Sequence, residues 1–575
     1  MDKGSVDTAR SAHNTPPLSR RDFIALGTLA AAAAALPMAG CSHAPSEIAA
    51  GRMTFPLQEM SIAQLQDGMK AGTLTSSGIT RAYLQRIAAL DRKGPAIRAV
   101  LETNPDALHI AAQLDAERRE GRVRGPLHGI PVILKDNIDT HDRMQTTAGS
   151  LALEGNFAGS DAFLVERLRA AGCVALAKAN MSEWANFRST RSSSGWSGRG
   201  RQCRNPYVLD RSPSGSSSGS GAAVSANCCA AAVGTETDGS IISPASANGI
   251  VGIKPTVGLV SRAGVIPIAH SQDTPGPMCR TVADAAAVLT AMAGVDPRDP
   301  ATAASKGRDN LDYTAFLDAD GLRGARIGVP YLRTGANPIV DQMVEAAIAT
   351  LKAKGAEVID PAEIRTTGQL GASERVVMLY EFKADLNAYL ATMPAAVPHR
   401  TLGRLIAFNE SHRDLEMPYF GQEMFIASEA RGPLTDQAYI DARATCVDLS
   451  RAKGIDAAMD KYRLDALMGP SDGPAEPIDL ATPGGRRGIP SSSQLPAVAG
   501  YPHITVPGGF HLGLPIGISF YGRAWSEPVL IKIAYAFEQA TRVRKAPTFM
   551  ATLALSRPPF KNVRYPYFGV GPEWC

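Results

Sequence analysis

Residues 212–246 read Ser212-Pro-Ser-Gly-Ser-Ser-Ser-Gly-Ser-Gly221, then the small-residue stretch 222–229, then Ala230-Ala-Ala-Val233, and then Gly234-Thr-Glu-Thr-Asp-Gly-Ser240-Ile-Ile-Ser-Pro-Ala-Ser246. A Gly/Ser run by itself has the composition of a flexible linker. Its position argues otherwise. It lies between ordered segments and runs straight into a helix expected over Ala222–Cys229, where the first backbone N–H groups have no partner inside the helix. Ala230–Val233 then reads as a strand entering a glycine-bearing turn. Loop, helix, strand and tight turn follow one another within thirty-five residues, the pattern of an α/β protein.

The same alternation extends in both directions. Toward the N-terminus, Pro131-Val-Ile-Leu-Lys135 is a short apolar run that reads as a buried strand, and Cys173–Leu176 as another. Helical spacing appears after Ser61, after Thr75 or Ser76 (Ile79, Tyr83, Leu84, Ile87), near 105–120, over Ala162–Ala171 and over Met181–Phe187. Toward the C-terminus, Ala325–Pro330 and Glu357–Ile359 read as strands around a helix at 339–354. Ile504–Pro507 and Ile516–Tyr521 read as paired strands before a helix at Pro528–Thr541. Residues 375–460 read as mostly helical, a lobe over the core. The expected fold is α/β, a mixed twisted central sheet with helices on both faces. No strong linker interrupts residues 56–550, so one catalytic domain is expected there, with 551–575 as a C-terminal extension.

Composition narrows the function classes. Hydrophobic residues make up 45% and charged residues 20% of the 575, ordinary for a globular enzyme. The net charge is +4 and no basic stripe recurs, so nucleic acid is not an expected partner. Fixed-period repeats, which would indicate a solenoid or propeller, are not apparent.

Residues 1–41 read as a leader. Ser19-Arg-Arg-Asp-Phe-Ile24 followed by an Ala-rich run to Met38 has the form of a twin-arginine export signal. The run of about 16 residues is shorter than the roughly 20 that span a bilayer. Leu36-Pro-Met-Ala-Gly-Cys41 resembles a bacterial lipobox, which makes Cys41 a candidate lipid anchor. The alternative is an ordinary signal cut near Ala39. Residues 42–55 read as a linker. An exported protein, periplasmic or tethered to a membrane by lipid, is expected. The chain has eight cysteines and no C-x-x-C pair, so neither a zinc site nor a disulfide scaffold is expected. A disulfide through Cys203 or Cys575 stays open.

Three segments carry the chemistry. Successive N–H groups in the turn 234–240 can form an anion-binding nest. Beside a nucleophile such a nest is an oxyanion hole, each donor contributing about 3 kcal/mol to the transition state. Lys135, at the end of an apolar strand, is poorly placed for a surface charge. Alone, it reads most simply as a lysine reaching from the strand end to a carboxylate such as Asp136. If desolvated, it becomes a usable base near neutral pH.

Together, Gly129-Ile-Pro-Val-Ile-Leu-Lys-Asp-Asn137, Gly215-Ser216 and Asp238-Gly-Ser-Ile241 resemble the amidase-signature family over roughly residues 60–545. The match continues in Gly249-Ile-Val-Gly-Ile-Lys-Pro-Thr256 and Gly276-Pro-Met-Cys-Arg-Thr-Val-Ala-Asp-Ala285. The resemblance implies a triad in which Lys135 is the base, Ser216, after a cis peptide bond, relays the proton, and Ser240 is the nucleophile. With Ser240 as nucleophile, the backbone N–H groups of Thr237, Asp238, Gly239 and Ser240 are expected to form the oxyanion hole, and no metal or other cofactor is expected because no ligand cluster appears in the sequence. Glu236, Asp238 and Ile242 depart from the commonest family pattern (Asp, Gly and Arg) without touching the triad. These departures, with Asn180-Met-Ser-Glu-Trp184, Ser194-Gly-Trp196 and Leu379-Tyr-Glu-Phe-Lys-Ala384, are similar to the peptide-amidase branch. The substrate implied is the C-terminal amide of a peptide, hydrolysed with release of ammonia; small aliphatic amides and aryl acylamides are the alternatives.

Other classes fit less well. Gly215-Ser-Ser217-Ser-Gly219 also satisfies the nucleophile-elbow pattern of Ser-His-Asp esterases, but that motif follows a strand. Here Arg211-Ser-Pro-Ser precedes it, and no downstream histidine stands out. A non-catalytic binding module would leave a complete triad unexplained. The amidase component of a tRNA-dependent amidotransferase works in the cytoplasm, against the export signal.

Overall fold

In the computed structural model the described residues are 55–308, 310–331, 333, 335, 337–482 and 491–553. The expected leader, Cys41 and residues 554–575 lie outside them. Residues from Phe55 onward group as one unit.

Eleven strands form one mixed sheet in the order β1-β3-β2-β4-β6-β5-β10-β11-β9-β7-β8. In chain order they are β1 Val100–Thr103, β2 Pro131–Lys135, β3 Val174–Ala179, β4 Ala231–Glu236, β5 Val251–Lys254, β6 Thr274–Cys279, β7 Arg326–Gly328, β8 Glu357–Ile359, β9 Ala466–Pro470, β10 His503–His511 and β11 Leu514–Tyr521. β2 is parallel to both β3 and β4, and β7 to both β8 and β9; the remaining neighbours are antiparallel. β2, β3 and β4 are buried along their whole length, which is why their sequences run apolar without alternating.

The early helices follow their caps. Ser61 and Gln64 make a capping box on Ile62–Lys70, and Thr75 caps Ser76–Leu90, which buries Ile79, Tyr83 and Ile87. The expected helix at Ala222–Cys229 begins earlier, at Ser218, and ends at Ser225. The expected helix at Met181–Phe187 does not form. Trp184, Ala185 and Asn186 take φ of 50°, 53° and 70°, a left-handed turn that apolar spacing cannot foretell.

Residues 371–462 form the helical lobe, led by the helix Gly371–Thr392. It packs on that left-handed turn. The Phe187 and Phe382 rings lie 4.9 Å apart, and Trp184 meets Phe425 edge-on at 5.6 Å. No helix among the described residues is long and apolar enough to cross a membrane. The six cysteines among the described residues, Cys203 included, are buried free thiols.

Candidate active site

The parallel pairing of β2 and β4 builds the site. Leu134 lies opposite Val233 in register, so Lys135 at the end of β2 arrives beside Thr235 near the end of β4. The carboxyl ends of parallel strands are where α/β sheets collect their ligands.

Lys135 is wholly buried. Its Nζ donates to Ser216 Oγ at 2.7 Å, to Thr235 Oγ1 at 2.8 Å and to the Thr235 carbonyl at 3.1 Å. Burial pushes its proton affinity down to about 7, against the opposing pull of the Asp273 and Glu236 carboxylates. The simpler sequence reading, an outward lysine paired with a carboxylate, is not what the fold holds.

The Gly215–Ser216 peptide bond is cis. A side chain at Gly215 would collide with Ser182 Oγ, so the close approach of that hydroxyl requires glycine. The Ser216 carbonyl accepts the Ser182 N–H at 3.0 Å, and the Ser217 N–H donates to the Ser240 carbonyl at 3.1 Å. These bonds tie the serine-rich loop to the turn that carries Ser240.

That turn is shaped from behind by Glu236. Its Oε2 accepts the N–H groups of Ile241 at 2.7 Å and Ile242 at 3.0 Å, and so caps the helix Ile242–Ala247. Gly239 sits at φ +76°. The backbone N–H groups of Asp238, Gly239 and Ser240 donate no hydrogen bond among the described residues. Thr237 is held by its side chain, whose Oγ1 donates to Asp273 at 2.6 Å. Asp273 also accepts the N–H groups of Ile268 and Ala269, and burial pushes its carboxyl up to about 6.

Gly215, Thr237, Asp238, Gly239 and Ser240 line one cavity of about 840 Å³. The left-handed turn, Met378 of the lobe and residues 472–482 supply other walls. Ser216 and Lys135 lie behind this surface. Among the described lining residues there is no histidine, so the esterase reading finds no partner base.

Several contributors are not legible in the sequence. Thr235 and Asp273 carry no signal of their role, and Asn137 closes a quoted motif without showing that its Nδ2 donates to Thr235 Oγ1, which it does at 3.0 Å. Glu236 is visible only as a departure. Away from the cavity, His270, Glu381 and Asp385 bring ligand-type atoms within 4.8 Å of one another, a grouping no sequence spacing suggests. They are already engaged: His270 Nδ1 meets Asp385 Oδ2 at 2.8 Å, and Tyr439 donates to Glu381 at 2.8 Å.

Sequence and fold comparisons place the chain in a family. The amidase family model matches residues 78–531. A protein of Arabidopsis thaliana named "Probable amidase" is 44% identical over 507 residues, 87% of this chain and 93% of that one. The crystal structure of the native peptide amidase from Stenotrophomonas maltophilia is 55% identical, with a TM-score of 0.82, covering 86% of this chain and 99% of that one. A peptide amidase complexed with the competitive inhibitor chymostatin is 54% identical, with a TM-score of 0.83, covering 86% and 100%.

The chain belongs to the amidase family, on the amidase-signature fold. It is an enzyme that hydrolyses amides, and its likeness to solved peptide amidases supports the peptide-amidase branch.

Proposed function

We propose that the enzyme removes the C-terminal carboxamide of peptides, releasing ammonia, through an acyl-enzyme on Ser240. The observation that carries the catalytic part is the contact of Lys135 Nζ with Ser216 Oγ in a site dry enough to bring the lysine near neutrality. Neutral Lys135 takes the proton of Ser216 while Ser216 takes the proton of Ser240. The Ser240 oxygen forms a bond to the amide carbon, and the carbonyl oxygen becomes an oxyanion received by the N–H groups of residues 237–240. The C–N bond breaks as the proton returns through Ser216 to the leaving nitrogen. Water then attacks the ester along the same proton path and yields the free acid.

The peptide-amide substrate is supported by the likeness to peptide amidases and by a cavity of about 840 Å³ that is rich in hydroxyl groups. The test is ammonia release from a panel of peptide amides against acetamide-like small amides, acyl anilides and internal peptide bonds. Cleavage of small amides alone ends the substrate assignment and leaves the triad standing. Loss of turnover in S240A is expected; activity near wild type would remove Ser240 as nucleophile.

We also propose export by the twin-arginine leader and tethering through Cys41. Detergent partitioning of the exported protein with and without Cys41→Ser tests it. Aqueous partitioning of both forms would contradict the tether.

A further inference from the structure

We propose that Asp273 is a positioning residue for the base: it shares the proton of Lys135 through Thr235 Oγ1 and one water held in a small cavity between them. This rests on the reading of Lys135 as general base above and adds a carboxyl that the triad does not contain.

Next to the cavity that Ser240 lines, and sharing Ala185, Thr237 and Ile268 with it, is a second cavity of about 10 Å³, the room of a single water. Asn137, Thr235, Thr237 and Asp273 are among its walls. Thr235 lies in β4 and Thr237 just past its end, two residues on, so their side chains share a face. Thr235 Oγ1 accepts from Lys135 Nζ at 2.8 Å, and Thr237 Oγ1 donates to Asp273 Oδ1 at 2.6 Å. The cavity lies between the partner of the lysine and the partner of the carboxylate.

The hydrogen bonding of these groups is one molecule short. A hydroxyl has two lone pairs and one proton. Both lone pairs of Thr235 Oγ1 are taken, by Lys135 Nζ and by Asn137 Nδ2 at 3.0 Å, and its own proton has no acceptor among the described residues. Asn137 Oδ1 is buried without a hydrogen-bond partner, while its Nδ2 also reaches the Ile266 carbonyl at 3.4 Å. A buried water makes about three bonds to groups of this kind. One placed here accepts the Thr235 hydroxyl and donates to Asn137 Oδ1 and to the Asp273 carboxylate.

That path moves a proton with charge in balance. The Lys135 ammonium gives a proton to Thr235 Oγ1, the Thr235 hydroxyl proton passes to the water, and a water proton passes to the Asp273 carboxylate. An ion pair becomes a neutral amine and a neutral acid, and the hydroxyl and the water are regenerated. The exchange is close to even, because burial brings Lys135 down to about 7 and Asp273 up to about 6. Glu236 also faces Lys135, and Arg262 faces Asp273. When Lys135 takes the Ser216 proton, the Asp273 carboxylate stabilises the new charge along the same path.

The test is the pH profile of kcat/KM for the amide that the enzyme cleaves fastest, which keeps it separate from the peptide-amide assignment. Wild type should show an acid limb at about 7. D273N keeps an oxygen to receive the Thr237 hydroxyl but removes the carboxylate that favours the lysine's charged form. The limb should move down by about one pH unit, and kcat above it should fall roughly tenfold because a weaker base receives the Ser216 proton. A role confined to holding Thr237 would lower kcat and leave the limb in place, and that result overturns the proposal. A high-resolution crystal structure of the wild-type enzyme decides the relay without a variant. We expect one water within ~3 Å of both Thr235 Oγ1 and an Asp273 carboxyl oxygen; a dry cavity overturns the proposal. A wild-type profile with no limb near neutrality removes the reading of Lys135 as base, and this proposal with it.

Discussion

Lys135 Nζ stands 2.7 Å from Ser216 Oγ, and all three of its hydrogen-bond partners are hydroxyl or carbonyl oxygens rather than carboxylates. A buried amine without a contacting counter-ion is easier to deprotonate. The charges that favour its protonated form, Asp273 and Glu236, act from a distance and do not outweigh burial.

The first prediction is a pH profile. In the proposed mechanism neutral Lys135 is the working form, so kcat/KM should rise with pH through about 7 and level above it. K135M should lose roughly 10³-fold or more in kcat/KM and lose that limb with it. Stability should respond to the same titration. The lysine's proton affinity is lower folded than unfolded, so the cost of burying its charge is complete below pH 7 and is relieved as pH rises toward ~10. K135M should therefore raise Tm more at pH 6 than at pH 9. An equal change at both would contradict the burial argument.

Thr235 should matter to catalysis although it touches no substrate. Its Oγ1 accepts from both Lys135 and Asn137, and T235V leaves both donors without that acceptor. We expect a loss of ~1–3 kcal/mol of stability in denaturant unfolding. We also expect kcat to fall about tenfold with KM little changed, because Lys135 loses the contact that aims it. An unchanged kcat would show that Ser216 and the carbonyl of residue 235 suffice to orient the lysine.

Gly239 should not tolerate a side chain. At φ +76° an alanine is strained by ~1–2 kcal/mol, and its Cβ would stand 3.2 Å from Ser243 Oγ and from Ser493 Oγ. G239A should lower kcat about 10²-fold by re-aiming the N–H groups of the turn, while peptide-amide KM moves less. A variant with full kcat would place the oxyanion donors elsewhere.

These positions show how unevenly the sequence reports the fold. β2 is legible because an apolar run of five residues has few other homes. β6 is not, because Thr274-Pro-Gly-Pro-Met-Cys279 carries the residues of a turn. It forms a strand anyway, since β5 pairs only with Met278 and Cys279, leaving Pro275 and Pro277 with ladder partners in β4 alone. Lys135, Ser216 and Ser240 are legible through motif resemblance. Thr235 and Asp273 are not, because their roles depend on which strands become neighbours. The left-handed turn at 184–186 reads as helix in the sequence because apolar spacing records burial and not the sign of φ.

The lobe should depend on Arg188. Its guanidinium is wholly buried, 3.1 Å from Glu183 and stacked 4.5 Å above Phe420, and it donates to the Glu416 carbonyl. R188M leaves Glu183 buried beside Glu416 with no cation. A loss of ~3–5 kcal/mol is expected, visible as a lowered Tm. A wild-type Tm would mean that the two carboxyls share a proton and need no arginine.

In the proposed mechanism Ser240 carries the acyl group. Rapid quenching of the enzyme with a peptide amide, followed by digestion and mass spectrometry, reads that attachment directly. We predict an ester on the peptide containing Ser240, absent in S240A. An ester on Ser216, or turnover with no ester on either serine, would contradict it.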